Sequence, residues 1–105
     1  MIRKAVTMKV FEGCHEEYRK RHDELWPEME KMLIEHGMHT YSIFLDEATH
    51  TLFAYLEIAD EELWAETANT DICRKWWSYM KDIMETNADN SPVSFDLKEV
   101  FYLHK

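Results

Sequence analysis

Several features that mark other classes of protein are scarce or missing in this chain of 105 residues. The two cysteines, Cys14 and Cys73, are too few for a disulfide framework and lack the C-x-x-C spacing of a redox pair. Reduced thiols are typical of cytosolic proteins, so we expect a cytoplasmic location. The chain also has no glycine-rich phosphate loop and no nucleophile elbow, which argues against the nucleotide-binding and hydrolase chemistry that those motifs serve.

Excess positive charge and long apolar runs are lacking too. Twelve basic residues stand against 21 acidic ones, the formal charge is −9, and no basic stripe is present. We therefore expect neither nucleic acid nor an anionic membrane surface as a partner. No apolar run approaches transmembrane length, and the charged first ten residues are not a signal peptide. An acidic surface repels anions, so a neutral or cationic ligand is favoured.

Aromatic residues, in contrast, are abundant. They make up 13% of the chain, with four Trp, five Tyr and five Phe. A core alone does not need so many rings, which indicates that some of them also meet a ligand or a partner. The length and the hydrophobic fraction of 46% predict a single domain over residues 1–105 with one core.

Alternation of apolar and polar residues predicts four strands. They cover residues 2–10, 39–46, 51–58 and 93–103, and the middle two form a hairpin. The first helix is expected from His15 to Leu25. Pro27 either kinks this helix or opens a second one that ends near His36.

Capping residues indicate two more helices. One begins at Asp60 and runs to about Ala68, and the next begins at Thr70 or Asp71 and runs to about Met84. The order β-α-β-β-α-β predicts an α+β, ferredoxin-like fold with an antiparallel sheet and helices on one face. Something must cover the other face, and a second copy of so short a chain would do so. We therefore expect a homodimer.

His22 is the first candidate for chemistry, because histidine exchanges protons near neutral pH. It lies one helical turn after Tyr18, on the same face of the predicted helix. The alternative is a partly exposed surface histidine without a catalytic role.

Three further aromatic residues are candidates for ligand contacts. Trp76 and Trp77 are adjacent on a helix, so one ring can enter the core while the other faces a cavity. Indole rings stack on the C–H faces of sugars and donate hydrogen bonds to hydroxyl groups. The hydroxyl of Tyr41, near the start of an inner strand, needs a polar partner. Core or interface packing remains the alternative for all three.

No metal site is expected. His36 and His39 are three residues apart, but Gly37 lies between them and no third ligand is evident. A pair of histidines at a helix end is the better interpretation.

Taken together, the segments of this chain resemble the L-rhamnose mutarotase family. The resemblance rests on HEEYRKRHDELWPEM, HGMHTYSIFLD, LFAYLEI, TDICRKWWSYMKDIM, DNSPVS and EVFYL, in order and over nearly the whole chain. The most specific signatures are H-x-x-x-WPE and WW-x-YM.

The resemblance implies a dimeric α+β barrel that interconverts the anomers of L-rhamnose without a cofactor. It implies His22 as the catalytic histidine and Tyr18, Tyr41, Trp76 and Trp77 as the sugar-binding residues. His22 would be the acid that protonates the ring oxygen. The base stays open between a nearby carboxylate, a water molecule and the same histidine acting in reverse.

Two other functions remain as alternatives. Ferredoxin-like dimeric barrels also host cofactor-free monooxygenases, a possibility that rests on fold analogy alone. A sugar-binding module without catalysis is the other alternative, and only a measurement of activity would separate it from the enzyme.

Overall fold

A computed structural model describes residues 1–105 and has one antiparallel four-stranded sheet. The elements are, in chain order, β1 (Ile2–Lys9), α1 (His15–Asp23), α2 (Pro27–Glu35), β2 (Met38–Asp46), β3 (Thr51–Ile58), α3 (Glu61–Ala65), a 3₁₀ turn (Glu66–Asn69), α4 (Asp71–Met80) and β4 (Phe95–Asp96). The strands lie side by side in the order β2-β3-β1-β4. The expected ferredoxin-like order is thereby confirmed.

The helices begin where local sequence chemistry favours a start. The Asp60 carboxylate accepts a hydrogen bond from the Leu63 N–H at 2.8 Å, and the Thr70 hydroxyl accepts one from the Cys73 N–H at 3.3 Å. Both side chains satisfy a backbone donor that the first turn of a helix leaves free. Pro27 occupies the first position of α2, so it opens a second helix rather than kinking the first.

The inner face of the sheet carries the core. Alternate residues of β3, from Leu52 to Ile58, are at most 4% exposed, and the register places Met8 and Leu45 directly opposite Leu52. Helices α2 and α4 cover this face with buried side chains. These are Met29, Met32, Leu33, Cys73, Trp76 and Met80. The concave space between the sheet and the helices is where the candidate site lies.

The outer face of the sheet has no such cover. Cross-strand register places Phe44 beside Phe53, Phe53 beside Thr7, and Thr7 beside Phe95. We call Phe44, Phe53 and Phe95 the outer aromatic row; they are 67%, 40% and 66% exposed. Contiguous exposed apolar surface of this kind is unusual on a monomeric protein.

The last strand exists but is much shorter than the predicted span over residues 93–103. Only Phe95–Asp96 is a strand, and one further bond, from the Leu97 N–H to the Ala5 carbonyl at 2.9 Å, continues the pairing. Beyond it the chain is exposed, and Arg3 binds Glu99 at 2.7 Å with its guanidinium over the Tyr102 ring. The alternation of Phe95, Leu97, Phe101 and Leu103 is real, but a strand also needs a surface to bury its apolar side, and one chain offers none.

Helix α4 is shorter than its sequence predicts. It ends at Met80 instead of near Met84, because Met84 pairs with Val10 and the Phe11 N–H donates to the Ile83 carbonyl at 2.9 Å. These bonds tie the end of β1 to the segment after the helix. The longest helix has ten residues, too few to cross a bilayer.

Candidate active site

The inner face of α1 presents two predicted site residues. Tyr18 and His22 are one turn apart, and their rings stack with centroids 4.3 Å apart. Glu16 and Glu17 lie in the first turn of α1 and Lys20 and Arg21 in the last, which is the charge order that the helix dipole favours. Tyr18 is 7% exposed, so the helix is anchored by a buried ring directly beside the histidine.

The hydrogen bond of His22 fixes its neutral tautomer. Its Nδ1 lies 2.9 Å from the carbonyl oxygen of Tyr18. A carbonyl oxygen only accepts, so we assign the proton to Nδ1, which leaves the lone pair on Nε2. The neutral ring therefore offers a proton acceptor on the side away from its own helix backbone.

Burial lowers the pKa of His22 from its usual value of 6.5. The apolar surroundings disfavour the charged ring, while the Tyr18 carbonyl and the Asp23 carboxylate favour it less strongly. His22 is therefore neutral at pH 7, with Nε2 able to take up a proton.

Helix α4 supplies the two tryptophans on adjacent faces. Trp76 is 7% exposed, and its ring meets the ring of His22 edge-on, with centroids 5.4 Å apart. A second edge-on contact joins Trp76 to Trp26 at 5.1 Å. Trp77 is half-buried and lies within 5.8 Å of the Arg74 guanidinium. Trp76 is thus part of the core and of the site at once.

Tyr41 reaches the same space from β2. It lies directly opposite Leu56 on the inner face, and its ring is 6.3 Å from that of Trp64. Two fifths of its surface is exposed, yet its phenol group is crowded by protein. Burial, together with the nearby Cys73, raises the pKa of Tyr41 to about 12. Burial also raises the pKa of Tyr18, so both phenols keep their protons and can donate hydrogen bonds.

One cavity of about 1080 Å³ brings all five predicted residues together. Tyr18, His22, Tyr41, Trp76 and Trp77 all line it, and most of the remaining wall is hydrophobic. Its volume lies just above the range of about 300–1000 Å³ that is usual for small-molecule sites. Residues that are far apart in sequence are therefore near neighbours around one space.

Several polar atoms of this cavity have no partner in the chain. The Tyr18 hydroxyl, His22 Nε2 and the Trp76 indole N–H make no hydrogen bond, although none of them is sealed from solvent. Unpaired polar groups on an apolar wall are a typical feature of a site that binds a hydroxylated ligand. A ligand with several hydroxyl groups would satisfy them.

Among the wall residues that the sequence did not point to are His15, Trp64 and Cys73. Cys73 precedes Trp76 by one turn of α4, so helical spacing is a signal that would have placed it on the same face. The same spacing marks His15, which precedes Tyr18 by three residues and His22 by seven on α1. Nothing local marks Trp64. Burial raises the pKa of the Cys73 thiol to about 11, so it is not a thiolate nucleophile at neutral pH.

The arrangement favours proton transfer on a neutral ligand. A neutral imidazole faces an apolar cavity with phenol and indole donors around it. Nowhere in the chain do three His, Cys, Asp or Glu side chains converge as metal ligands would. His36 donates from Nδ1 to the Met32 carbonyl at 2.8 Å, at the end of α2.

Comparison with known proteins points to one family. A family model described as L-rhamnose mutarotase matches residues 3–103. An L-rhamnose mutarotase from Lachnoclostridium phytofermentans is 60% identical over 103 residues, 98% of this chain and 99% of that protein. The crystal structure of an L-rhamnose mutarotase from Formosa agariphila has a TM-score of 0.91 at 46% identity, covering 99% of this chain and 100% of that one.

A more distant likeness concerns the fold alone. A putative antibiotic biosynthesis monooxygenase from Nitrosomonas europaea has a TM-score of 0.64 at 14% identity, covering 96% of this chain and 100% of that one. The ferredoxin-like fold is thus shared with proteins of other activities, and this likeness says nothing about the reaction.

Proposed function

The chain belongs to the L-rhamnose mutarotase family, and from that premise we propose how its cavity interconverts the α and β anomers of L-rhamnose. Its activity is that of a sugar mutarotase, an isomerase. The single observation that carries the assignment to this cavity is the neutral His22, whose Nε2 is unpaired and whose ring packs against the rings of Tyr18 and Trp76.

L-Rhamnose matches the chemistry of the wall. It is uncharged, which suits an acidic protein, and it has both hydroxyl groups and a methyl group. Tyr18 and Tyr41 would donate hydrogen bonds to hydroxyl groups. Trp76 and Trp77 would pack against the apolar face of the ring and the methyl group.

Mutarotation opens a cyclic hemiacetal and closes it again. His22 Nε2 takes the proton of the anomeric hydroxyl, the oxygen electron pair forms the C=O bond, and the bond between C1 and the ring oxygen breaks. The ring oxygen leaves with the electron pair of the broken bond and is protonated by the imidazolium, which returns His22 to its neutral form. Rotation about the C1–C2 bond and closure on the other face of the carbonyl then give the other anomer.

One histidine can serve both oxygens, because both are bonded to the same carbon. Of the three bases left open by the sequence, the tautomer and the lowered pKa favour the same histidine. An imidazole that is neutral before the reaction first accepts a proton and then donates it. The acid role of His22 is then its second step. Proton transfer by such a group contributes roughly 10²–10⁴-fold to a rate.

The two alternative functions lack comparable support. Likeness to a monooxygenase at 14% identity shows the fold alone. The binding-module alternative leaves unexplained why relatives at 60% identity are named as enzymes. Neither alternative requires a neutral histidine with a free Nε2 in the cavity.

Saturation transfer in NMR tests the proposed function. Saturating the α-anomer proton of L-rhamnose should weaken the β signal when the protein is present, because exchange becomes fast. The same measurement with L-fucose, D-glucose and D-ribose defines the sugar preference. Absence of transfer with every sugar would reject the mutarotase and favour the binding module, and oxygen uptake with a phenol or quinol would favour the monooxygenase.

We also propose that the protein is a homodimer that covers the outer face of the sheet. The support is the outer aromatic row of Phe44, Phe53 and Phe95, together with the tail over residues 97–105. Val100, Phe101 and Leu103 in that tail are at least 79% exposed. A C₂ partner would bury the same row from both copies. The cytoplasmic location that the two free thiols favour is likewise a proposal.

A further inference from the structure

Arg21 is the most heavily bonded charged side chain in the molecule, and the mechanism described above does not use it. Its side chain is 11% exposed. Nε donates to Glu17 at 2.8 Å, Nη1 to the Tyr79 carbonyl at 2.6 Å and to Asp82 at 2.8 Å, and Nη2 to the other Asp82 oxygen at 3.2 Å. Such a forked arrangement fixes geometry as well as contributing energy.

These bonds join the helix of the histidine to the end of the helix of the tryptophan. Arg21 is on α1, Tyr79 is in the last turn of α4, and Asp82 follows that helix. Helix α4 packs closely on α2, whereas α1 and α4 make no comparably close backbone contact. Arg21 is therefore the main polar tie between the two helices that border the cavity.

A ring of contacts leads from Arg21 back to His22. The guanidinium lies over the Tyr79 ring at 4.4 Å, the Tyr79 and Trp76 rings have centroids 5.6 Å apart, and Trp76 meets His22 at 5.4 Å. His22 directly follows Arg21 in the chain. Because these side chains pack against one another in series, a shift of Tyr79 would move the Trp76 ring that packs against the His22 imidazole.

We propose that Arg21 is a positioning residue for anomer exchange: it holds Trp76 against His22 so that Nε2 faces the sugar. This inference rests on the proposed function and names a residue that serves the same site without touching the substrate. Its charge is neutralised by Glu17 and Asp82. Its influence on the site is therefore exerted through geometry.

Arg21→Met tests the proposal, with Lys20→Met as the matched control. Both changes remove one positive charge from α1, but Lys20 is exposed and forms no ion pair. Misplacement of catalytic groups by about 1 Å can cost up to roughly 10²-fold in rate. We expect kcat to fall by roughly 10- to 10²-fold in Arg21→Met with KM nearly unchanged, and neither to change in Lys20→Met.

A spectroscopic signature separates positioning from loss of stability. The ring current of Trp76 affects the NMR signals of the His22 ring protons, so these signals should move in Arg21→Met and stay in Lys20→Met. Ile58→Val supplies a control that loses stability without touching the site, because Ile58 is fully buried in β3. The His22 signals and kcat should be unaffected in this variant at temperatures where it is folded.

Asp82→Asn gives a milder test if Arg21→Met does not fold. Asp82 accepts two of the bonds of Arg21, so the same change should appear in kcat and in the His22 signals at smaller size. Arg21→Lys should recover part of the lost kcat. Unchanged kcat and unchanged His22 signals in folded Arg21→Met or in Asp82→Asn would overturn the positioning role. If the native protein exchanges no anomers, the proposed function fails, while the His22 signals still report whether Arg21 holds the ring.

Discussion

The two faces of the sheet use aromatic residues in opposite ways. On the inner side, Tyr18, His22 and Trp76 pack ring against ring and leave single polar atoms free toward a cavity. On the outer side, Phe44 and Phe95 carry no polar atom and are about two-thirds exposed. The contrast indicates chemistry on the inner face and association on the outer face. Changes on the two faces should therefore affect different measurements.

The largest effect is expected from His22→Ala. The rate of anomer exchange should fall by roughly 10²–10⁴-fold, because the group that carries the proton is gone. Alanine favours the helix, so the fold should survive. His36→Ala is the matched control, since His36 also donates to the carbonyl four residues earlier but lies outside the cavity. Full activity in folded His22→Ala would remove the catalytic assignment and leave the family unchanged.

Substitutions of the two tryptophans on the inner side should distinguish a ring that stabilises the fold from a ring that binds the sugar. Trp76→Ala removes a buried ring and should destabilise the protein by about 3–5 kcal/mol in thermal or urea unfolding. Trp77→Ala removes a half-buried ring, so it should weaken rhamnose binding with a smaller loss of stability. Calorimetric titration together with unfolding curves measures both quantities. Normal rhamnose affinity in Trp77→Ala would show that this ring only packs.

Phe95→Glu tests whether the outer face of the sheet forms the dimer interface. Burying an unpaired carboxylate costs several kcal/mol, so dimer dissociation should increase by roughly 10²-fold or more. Light scattering should then report the 12.7 kDa monomer. Ile34→Glu on α2, where the side chain is also exposed, should leave the dimer intact. A native protein that is monomeric at micromolar concentration would contradict the dimer.

Chelation should have the smallest effect. Exchange driven by His22 moves only protons, so exhaustive treatment with EDTA and dialysis should leave the rate unchanged. Loss of activity that one specific metal restores would show that the inner face depends on an ion as well as on its histidine.

Local chemistry is sufficient to predict much of the fold. Asp60 was recognised as a cap, and its carboxylate bonds the helix three residues on. The sequence left the next cap open between Thr70 and Asp71, and Pro27 open between a kink and a helix start, and the structure has the Thr70 cap and the start. The predicted length of the last strand, residues 93–103, was wrong for a reason that the local pattern does not contain. Alternation predicts which side of a strand is apolar, but not whether a surface exists to cover it.

The residues of the candidate site also differ in whether a local sequence pattern predicts their position. Helical spacing alone placed Tyr18 beside His22. Tyr41 was a candidate because of its position near the start of an inner strand, but its sugar-binding role came from the family resemblance, since it reaches the cavity only through the register of the sheet. The contact of Arg21 with Asp82 had no signal in the sequence, because the two residues are 61 positions apart. Tertiary contacts of this range cannot be inferred from a periodic pattern.

The central claim is that a neutral His22 starts the reaction, and its titration tests this most directly. ¹⁵N-edited NMR of the imidazole should show the proton on Nδ1 at pH 7 and a pKa below 6.5, lowered by burial. The neutral ring is the active form. The exchange rate should therefore be at its plateau at neutral pH and should decline as the pH falls through that same pKa. A rate that rises as His22 becomes protonated, or that titrates independently of it, would contradict the account.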